Sequence, residues 1–298
     1  MGPRVQGAAP CLWTAALTHF RQFAAIDWSG AKGPRHKGIA LALCHTGSAA
    51  PELIAPPGGA WSRTQILEWL LAKADQPLLV GIDCSFSAPF ILRGAHLPGE
   101  TTTASAQELW AYVDAHSSDE DLGAASFLEQ RRGQHFYLGA ADGPKRDFLH
   151  WRACEMAGGH ATKPTTVYDA IGAAQVAKAS FAGMRLLHHL AGRVHVGPFD
   201  PLPRRGAVLV EIYTAIAARA AGLPRGRSKL RDAAALDAAL AMIGSAPHRP
   251  LSRYDDHATD AILAAAWLRA SANSEQLWHP AGLNEKIRHT EGWTFGVS

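Results

Sequence analysis

Apolar positions along the chain fall into two patterns. Some form short continuous runs. Phe23-Ala24-Ala25-Ile26, Leu78-Leu79-Val80-Gly81-Ile82 and Ala207-Val208-Leu209-Val210 lack polar alternation, the pattern of central strands buried on both faces. Others recur at helical spacing. Ser62 to Ala74 carries Ile66, Leu67, Leu70 and Leu71 behind a capping Ser62 or Thr64. Helices are also predicted over 173–190, 212–221, 230–243 and 255–270. Residues 22–29 and 37–43 read as strands joined by a turn at Gly30 to Gly33, hence a hairpin, and a third short strand is expected near Leu53-Ile54. Hairpin, strand, helix and strand in that order define an α/β arrangement on a mixed sheet. Residues 95–165 are more polar and irregular and read as a mainly helical insertion. Residues 1–20 read as a loosely held arm, leaving 21–298 as one domain.

The ends of the apolar runs carry the candidate chemistry. Three of them deliver an acid: Asp27, Asp83 and Glu211. Burying a carboxylate without a partner costs several kcal/mol. Strands adjacent in one sheet would bring these acids together, where they raise one another's pKa. A hard divalent cation resolves that conflict, and Mg²⁺ prefers carboxylate oxygen and water. Taken singly, an aspartate at a strand end is more often a turn former or a cap. The last helix adds weight. Asp255 and Asp256 suit its N-terminus electrostatically, but Asp260 lies beyond the cap. At about 100° per residue, Asp256 and Asp260 are about 40° apart around the axis, and His257 and Asp260 about 60°. The opposite stripe, Ile262, Ala266 and Trp267, is expected to pack on the sheet.

Composition narrows this picture without deciding it. Hydrophobic content of 47% and charged content of 18% exclude a disordered chain, and a net charge of +3 permits a nucleic-acid partner without requiring one. The basic candidates for such contact are Lys32 and Lys37 after the first strand, which a solvated hairpin turn explains better, and Arg131, Arg132 and Arg152 in the insertion, which an ordinary polar cap explains equally well. Cys11, Cys44, Cys84 and Cys154 make no paired motif, which suits a reducing, cytoplasmic setting. The start of the chain is a poor signal peptide, and no apolar run approaches the ~20 residues of a membrane span.

The pieces Ile26-Asp27-Trp28-Ser29-Gly30, Gly81-Ile82-Asp83-Cys84-Ser85-Phe86, Gly197-Pro198-Phe199, Val210-Glu211-Ile212-Tyr213 and Asp256 to Ala265 resemble an uncharacterised family of predicted nucleases, domain of unknown function 429. That family is placed in the ribonuclease H-like superfamily. His257-Ala-Thr-Asp260-Ala is similar to the last helix of RuvC-type Holliday junction resolvases. The resemblance implies a ribonuclease H-like fold: a five-stranded mixed sheet flanked by helices. It implies a site of Asp27, Asp83, Glu211 and Asp260 holding two Mg²⁺ or Mn²⁺ ions, with His257 or Asp256 beside them. The reaction implied is hydrolysis of a DNA or RNA phosphodiester, and the dimeric RuvC-type enzymes leave a homodimer open. Two departures stand out. Thr214 occupies a position where the family pattern has proline, and the first helix offers only Glu68 for an acid found there in ribonuclease H itself. An actin- or sugar-kinase-type phosphotransferase is the second reading, since Asp27-Trp-Ser-Gly faintly resembles a phosphate loop. A catalytically silent binding module is the third.

Overall fold

The chain reverses after Asp27, and that reversal starts the sheet. In the computed structural model, which describes residues 19–100, 103–157, 165–171, 176–224 and 229–298, β1 (Gln22–Asp27) pairs antiparallel with β2 (Ala40–His45). β2 in turn pairs antiparallel with β3 (Glu52–Leu53). Helix α1 (Arg63–Ala72) begins with a full capping box: Ser62 Oγ accepts from Gln65 N–H, and the Gln65 side chain accepts from Ser62 N–H. The chain returns as β4 (Leu78–Ile82), parallel to β1.

The insertion follows, with α2 (Ala106–Ala115), α3 (Ala125–Gln130), two short 3₁₀ turns, and α4 (Ala153–Ala157). Then come α5 (Val176–Leu190), β5 (His195–Gly197) and β6 (Val208–Glu211), with β6 parallel to both β4 and β5. The chain closes with α6 (Thr214–Ala220), α7 (Ala233–Met242), α8 (Asp256–Ser271), α9 (Glu275–Trp278) and α10 (Glu285–Thr290).

The sheet therefore has six strands, ordered β3-β2-β1-β4-β6-β5, where five were expected. The extra strand is β5. Its three residues lie at the edge, too short for a period of two to register in the sequence. The predicted arm lies outside the described residues except for His19 and Phe20, and Phe20 is not loose: it is buried and stacks on Trp278.

Side-chain alternation splits the core in two. Ala24, Ile26, Leu78, Val80 and Ile82 face one layer with α1, α2 and α5, including Leu109, Trp110, Phe181 and Leu186. Phe23, Ala25, Leu79, Val208 and Val210 face the other layer with α6, α7 and α8. Helix α8 packs on β1 and β2 and on α6 and α7 at once. This is why Leu263, Ala264 and Ala265 are buried along with the expected stripe of Ile262, Ala266 and Trp267. Each large apolar side chain buried there stabilises the layer by about 1.5–3 kcal/mol.

Candidate metal-binding active site

Strand register decides which acids meet. Ile26 pairs with Ile82, and Ile82 with Glu211, so these three side chains share one row and one sheet face. Asp27 and Asp83 lie one residue further on. Asp83 N–H donates to Ile26 O at 3.0 Å, extending the pairing past the strand end. One residue flips the face. Asp27 and Asp83 thus project toward α8, which brings His257 and Asp260, while Glu211 projects toward the insertion. All of them line one cavity of about 720 Å³, together with Asp256, Ser29, Tyr213 and Lys229.

On the α8 side, His257 Nδ1 is hydrogen-bonded to Asp27 Oδ2. Burial raises the Asp27 pKa; His257 opposes that rise, and Asp255 and Asp256 add to it. Burial first, then Asp27 and Asp260, push Asp83 up to about 8, against the pull of Thr214. Asp260 is pushed up to about 7 by burial and by Asp27 and Asp256. The hydrogen bond to Asp27 raises His257. Three carboxylates in one cavity thus resist being charged together, and a cation is the natural counterpart of that arrangement. Their oxygens are hard donors and fit Mg²⁺ or Mn²⁺ in chemical type. Among the described residues, however, no three or more His, Cys, Asp or Glu side chains are grouped so that they could hold a metal ion as they stand.

Glu211 is committed elsewhere. Arg152 grips it with Nη2 to Oε1 at 2.5 Å and Nη1 to Oε2 at 2.7 Å, while Phe86 N–H and Thr294 Oγ1 also donate to it. Arg152 further donates Nε to Glu155 Oε1 at 2.9 Å. Both oxygens of Glu211 are thus occupied, although it lines the same cavity as Asp27, Asp83 and Asp260. Asp256 is likewise engaged, by Lys229 and Arg231. Glu68 is exposed on α1 and does not line the cavity.

The predicted nucleic-acid contacts divide in the same way. Arg152 is buried in the ion pair just described, so its guanidinium is spent on Glu211 and Glu155 even though it lines the cavity. Arg131 is buried between Glu100 and the Phe127 ring. Arg132 pairs with Asp142 at 2.5 Å. Lys32 and Lys37 remain exposed beside the cavity residues Ala31 and Gly38. The burial of Arg152 has a measurable consequence. Replacing Arg152 by Met leaves Glu155 and Glu211 buried without their cation and should cost about 3–5 kcal/mol. A urea unfolding midpoint unchanged from the unsubstituted chain would contradict this ion-pair account.

Several positioning residues had no motif to announce them. Arg63, almost fully buried, donates to Ser29 O twice and to Ala31 O, pinning the loop that follows Asp27. Trp28 Nε1 donates to Ala179 O at 3.0 Å. Gly30 lies so close to α5 that a Cβ would stand 2.2 Å from Ala179 N, so this glycine serves close approach of backbone, not the expected turn. Thr214 donates its hydroxyl to Asp83 Oδ2 at 3.0 Å. Lys229 and Arg231 did leave a sequence signal, the basic run from Arg225 to Arg231; Arg225 and Arg227 lie outside the described residues.

Comparison with family models, with curated proteins and with solved structures finds no match to this chain. The fold is a mixed-sheet α/β domain flanked by helices, and among the described residues no helix is long and apolar enough to cross a membrane.

Proposed function

We propose that this protein is a divalent-metal-dependent phosphodiesterase of the ribonuclease H-like type, acting on nucleic acid. The observation that carries the reading is that Asp27, Asp83 and Asp260, from two adjacent strand ends and one helix, face a single cavity on the same side of the sheet. Asp27, Asp83 and Asp260 would hold the metal. A bound Mg²⁺ or Mn²⁺ supplies Lewis-acid polarisation of the phosphoryl oxygen and a more acidic water. The chain's own residues supply the rest. Asp27 fixes the orientation of the His257 ring through Nδ1, turning Nε2 away from Asp27, where it can exchange a proton with cavity water. Thr214 holds Asp83 in one orientation, and Arg63 keeps the loop after Asp27 in place.

Incubation with single-stranded and duplex DNA and RNA, with Mg²⁺ or Mn²⁺ and then with EDTA, tests the reading. Cleavage that appears with metal and stops with chelator is expected. No cleavage, together with no calorimetric binding of either metal at millimolar concentration, would overturn it.

The role of Thr214 has its own test. Thr214→Val removes the hydroxyl at near-constant shape and should weaken metal binding by about 10- to 100-fold, whereas Thr214→Ser should restore it. Equal affinity of the Val and Ser variants in a calorimetric titration would show that the hydroxyl is idle. The phosphotransferase reading is weaker on this geometry. Its would-be phosphate loop spends Gly30 on packing against α5, leaving less backbone open to a phosphate.

A further inference from the structure

We propose that Lys229 and Arg231 form the phosphate-backbone contact of this site, with Asp256 as their placeholder counterion. The inference rests on the phosphodiesterase reading and concerns where the polyanion lies relative to the acids. Lys229 pairs with Asp256 Oδ2, and Arg231 Nη1 reaches Asp256 Oδ1 at 2.5 Å. Asp256 is the first residue of α8, one position before His257 and one turn before Asp260. Both Lys229 and Asp256 line the cavity. Lys229 therefore lines a mainly acidic cavity, with Arg231 held beside it on Asp256, one helical turn from Asp260.

Exposure separates them from Arg152 and Arg131, and Lys229, unlike Lys32, Lys37 and Arg132, itself lines the cavity. The Lys229 and Arg231 side chains are 65% and 55% exposed, against 1% for Arg152 and 9% for Arg131. An ion pair this open contributes little to stability and exchanges partners readily. A cation pair sharing one carboxylate carries a net positive charge that a phosphodiester can complete. A cavity lined by Asp27, Asp83 and Asp260 repels a polyanion on its own. Cations beside it offset that repulsion and would let neighbouring phosphates anchor while the scissile one reaches the acids. The contact is to backbone phosphate, the group that DNA and RNA share. It fixes register on the strand and reads no base.

The experiment is equilibrium binding of a labelled single-stranded oligonucleotide to the full chain in EDTA, followed by anisotropy across a sodium chloride series. Matched all-deoxyribose and all-ribose strands are used. The double variant Lys229→Gln with Arg231→Gln removes two phosphate contacts. The slope of log K against log salt should then become shallower by about 1.4. Lys229→Arg with Arg231→Lys keeps the charge and should keep the slope. Arg146→Gln with Lys286→Gln removes equal charge from exposed positions that do not line the cavity, and should leave the slope unchanged. Equal changes on both strands place the contact on phosphate. A change on ribose alone would overturn that and put it on the 2′-hydroxyl. If the Lys229/Arg231 variant behaves like the Arg146/Lys286 control, the proposal fails while the nuclease reading stands. If the unsubstituted chain binds neither strand at any salt, the proposal fails, while the nuclease reading is decided separately by metal-dependent cleavage and calorimetric metal binding.

Discussion

Replacing Asp260 with Asn is expected to abolish metal-dependent phosphodiester cleavage while leaving a folded and somewhat more stable metal-free chain. The two effects share one cause. Asp260 sits on α8 facing Asp27 and Asp83, and burial together with Asp27 and Asp256 already pushes it up to about 7. Asn keeps the shape and removes the charge, so the remaining carboxylates lose a repelling neighbour. On the proposed reading, the same change would deprive a bound cation of an anionic ligand. Metal ions contribute several kcal/mol of transition-state stabilisation, and each 1.36 kcal/mol is tenfold in rate, so the loss should reach about 10³-fold or more. Single-turnover rates and thermal melts of both chains measure the two effects. Activity retained within about tenfold would show that Asp260 is not part of the site.

A second large effect is expected in the metal-free protein as pH rises. Asp83 and Asp260 each have an ordinary value of 3.8 in the unfolded chain and sit at about 8 and about 7 in the folded one. Between those limits the folded chain holds protons that the unfolded chain has already released, so stability falls as pH increases. The decline begins near pH 4 and levels off near pH 8, the window set by those two carboxylates. His257 acts in the same direction: its pKa is raised on folding, so its contribution is present at low pH and lost as pH rises through the folded value. Asp121, held down at about 2 with its carboxylate hydrogen-bonded by His36 and by the Arg63 and Thr64 N–H groups, acts only at the acid end. Melts between pH 5 and pH 8 are therefore free of it. Burial lowers His96, His135 and His150, which stabilises the fold as pH rises to about 6.5, so the decline is read most cleanly between about pH 6.5 and pH 8.

Millimolar Mg²⁺ or Mn²⁺ should reverse the decline at pH 8 and do little at pH 5, where protons already neutralise the carboxylates. Saturation at one hundred times Kd corresponds to about 2.7 kcal/mol. A melting temperature that neither falls between about pH 6.5 and pH 8 nor responds to metal at pH 8 would remove the electrostatic basis of the site.

What the sequence determined by itself is the set of elements and most of their order. Continuous apolar runs gave β1, β4 and β6, because a strand buried on both faces leaves no room for polar alternation. Ser62 marked the start of α1, and Asp255 that of α8, because a helix end needs an acceptor for its free N–H groups. Asp27, Asp83 and Asp260 were legible as candidates for the same reason: an acid next to a buried run calls for a partner.

Tertiary structure alone decided which acids share a face. Glu211 looked like its companions, yet it aligns with Ile82 and not with Asp83, and a shift of one residue turns a side chain to the other side of the sheet. Register is set by pairing between distant strands and is written in no single segment. The fate of the arginines was equally hidden. Arg152 is charged and sits in a polar stretch, and nothing local shows that Glu155 and Glu211 enclose it. Composition marks a residue as able to bind phosphate. Only the fold settles whether its charge has already been met inside, as for Arg152, or stands at the cavity rim on a partner it can exchange, as for Lys229.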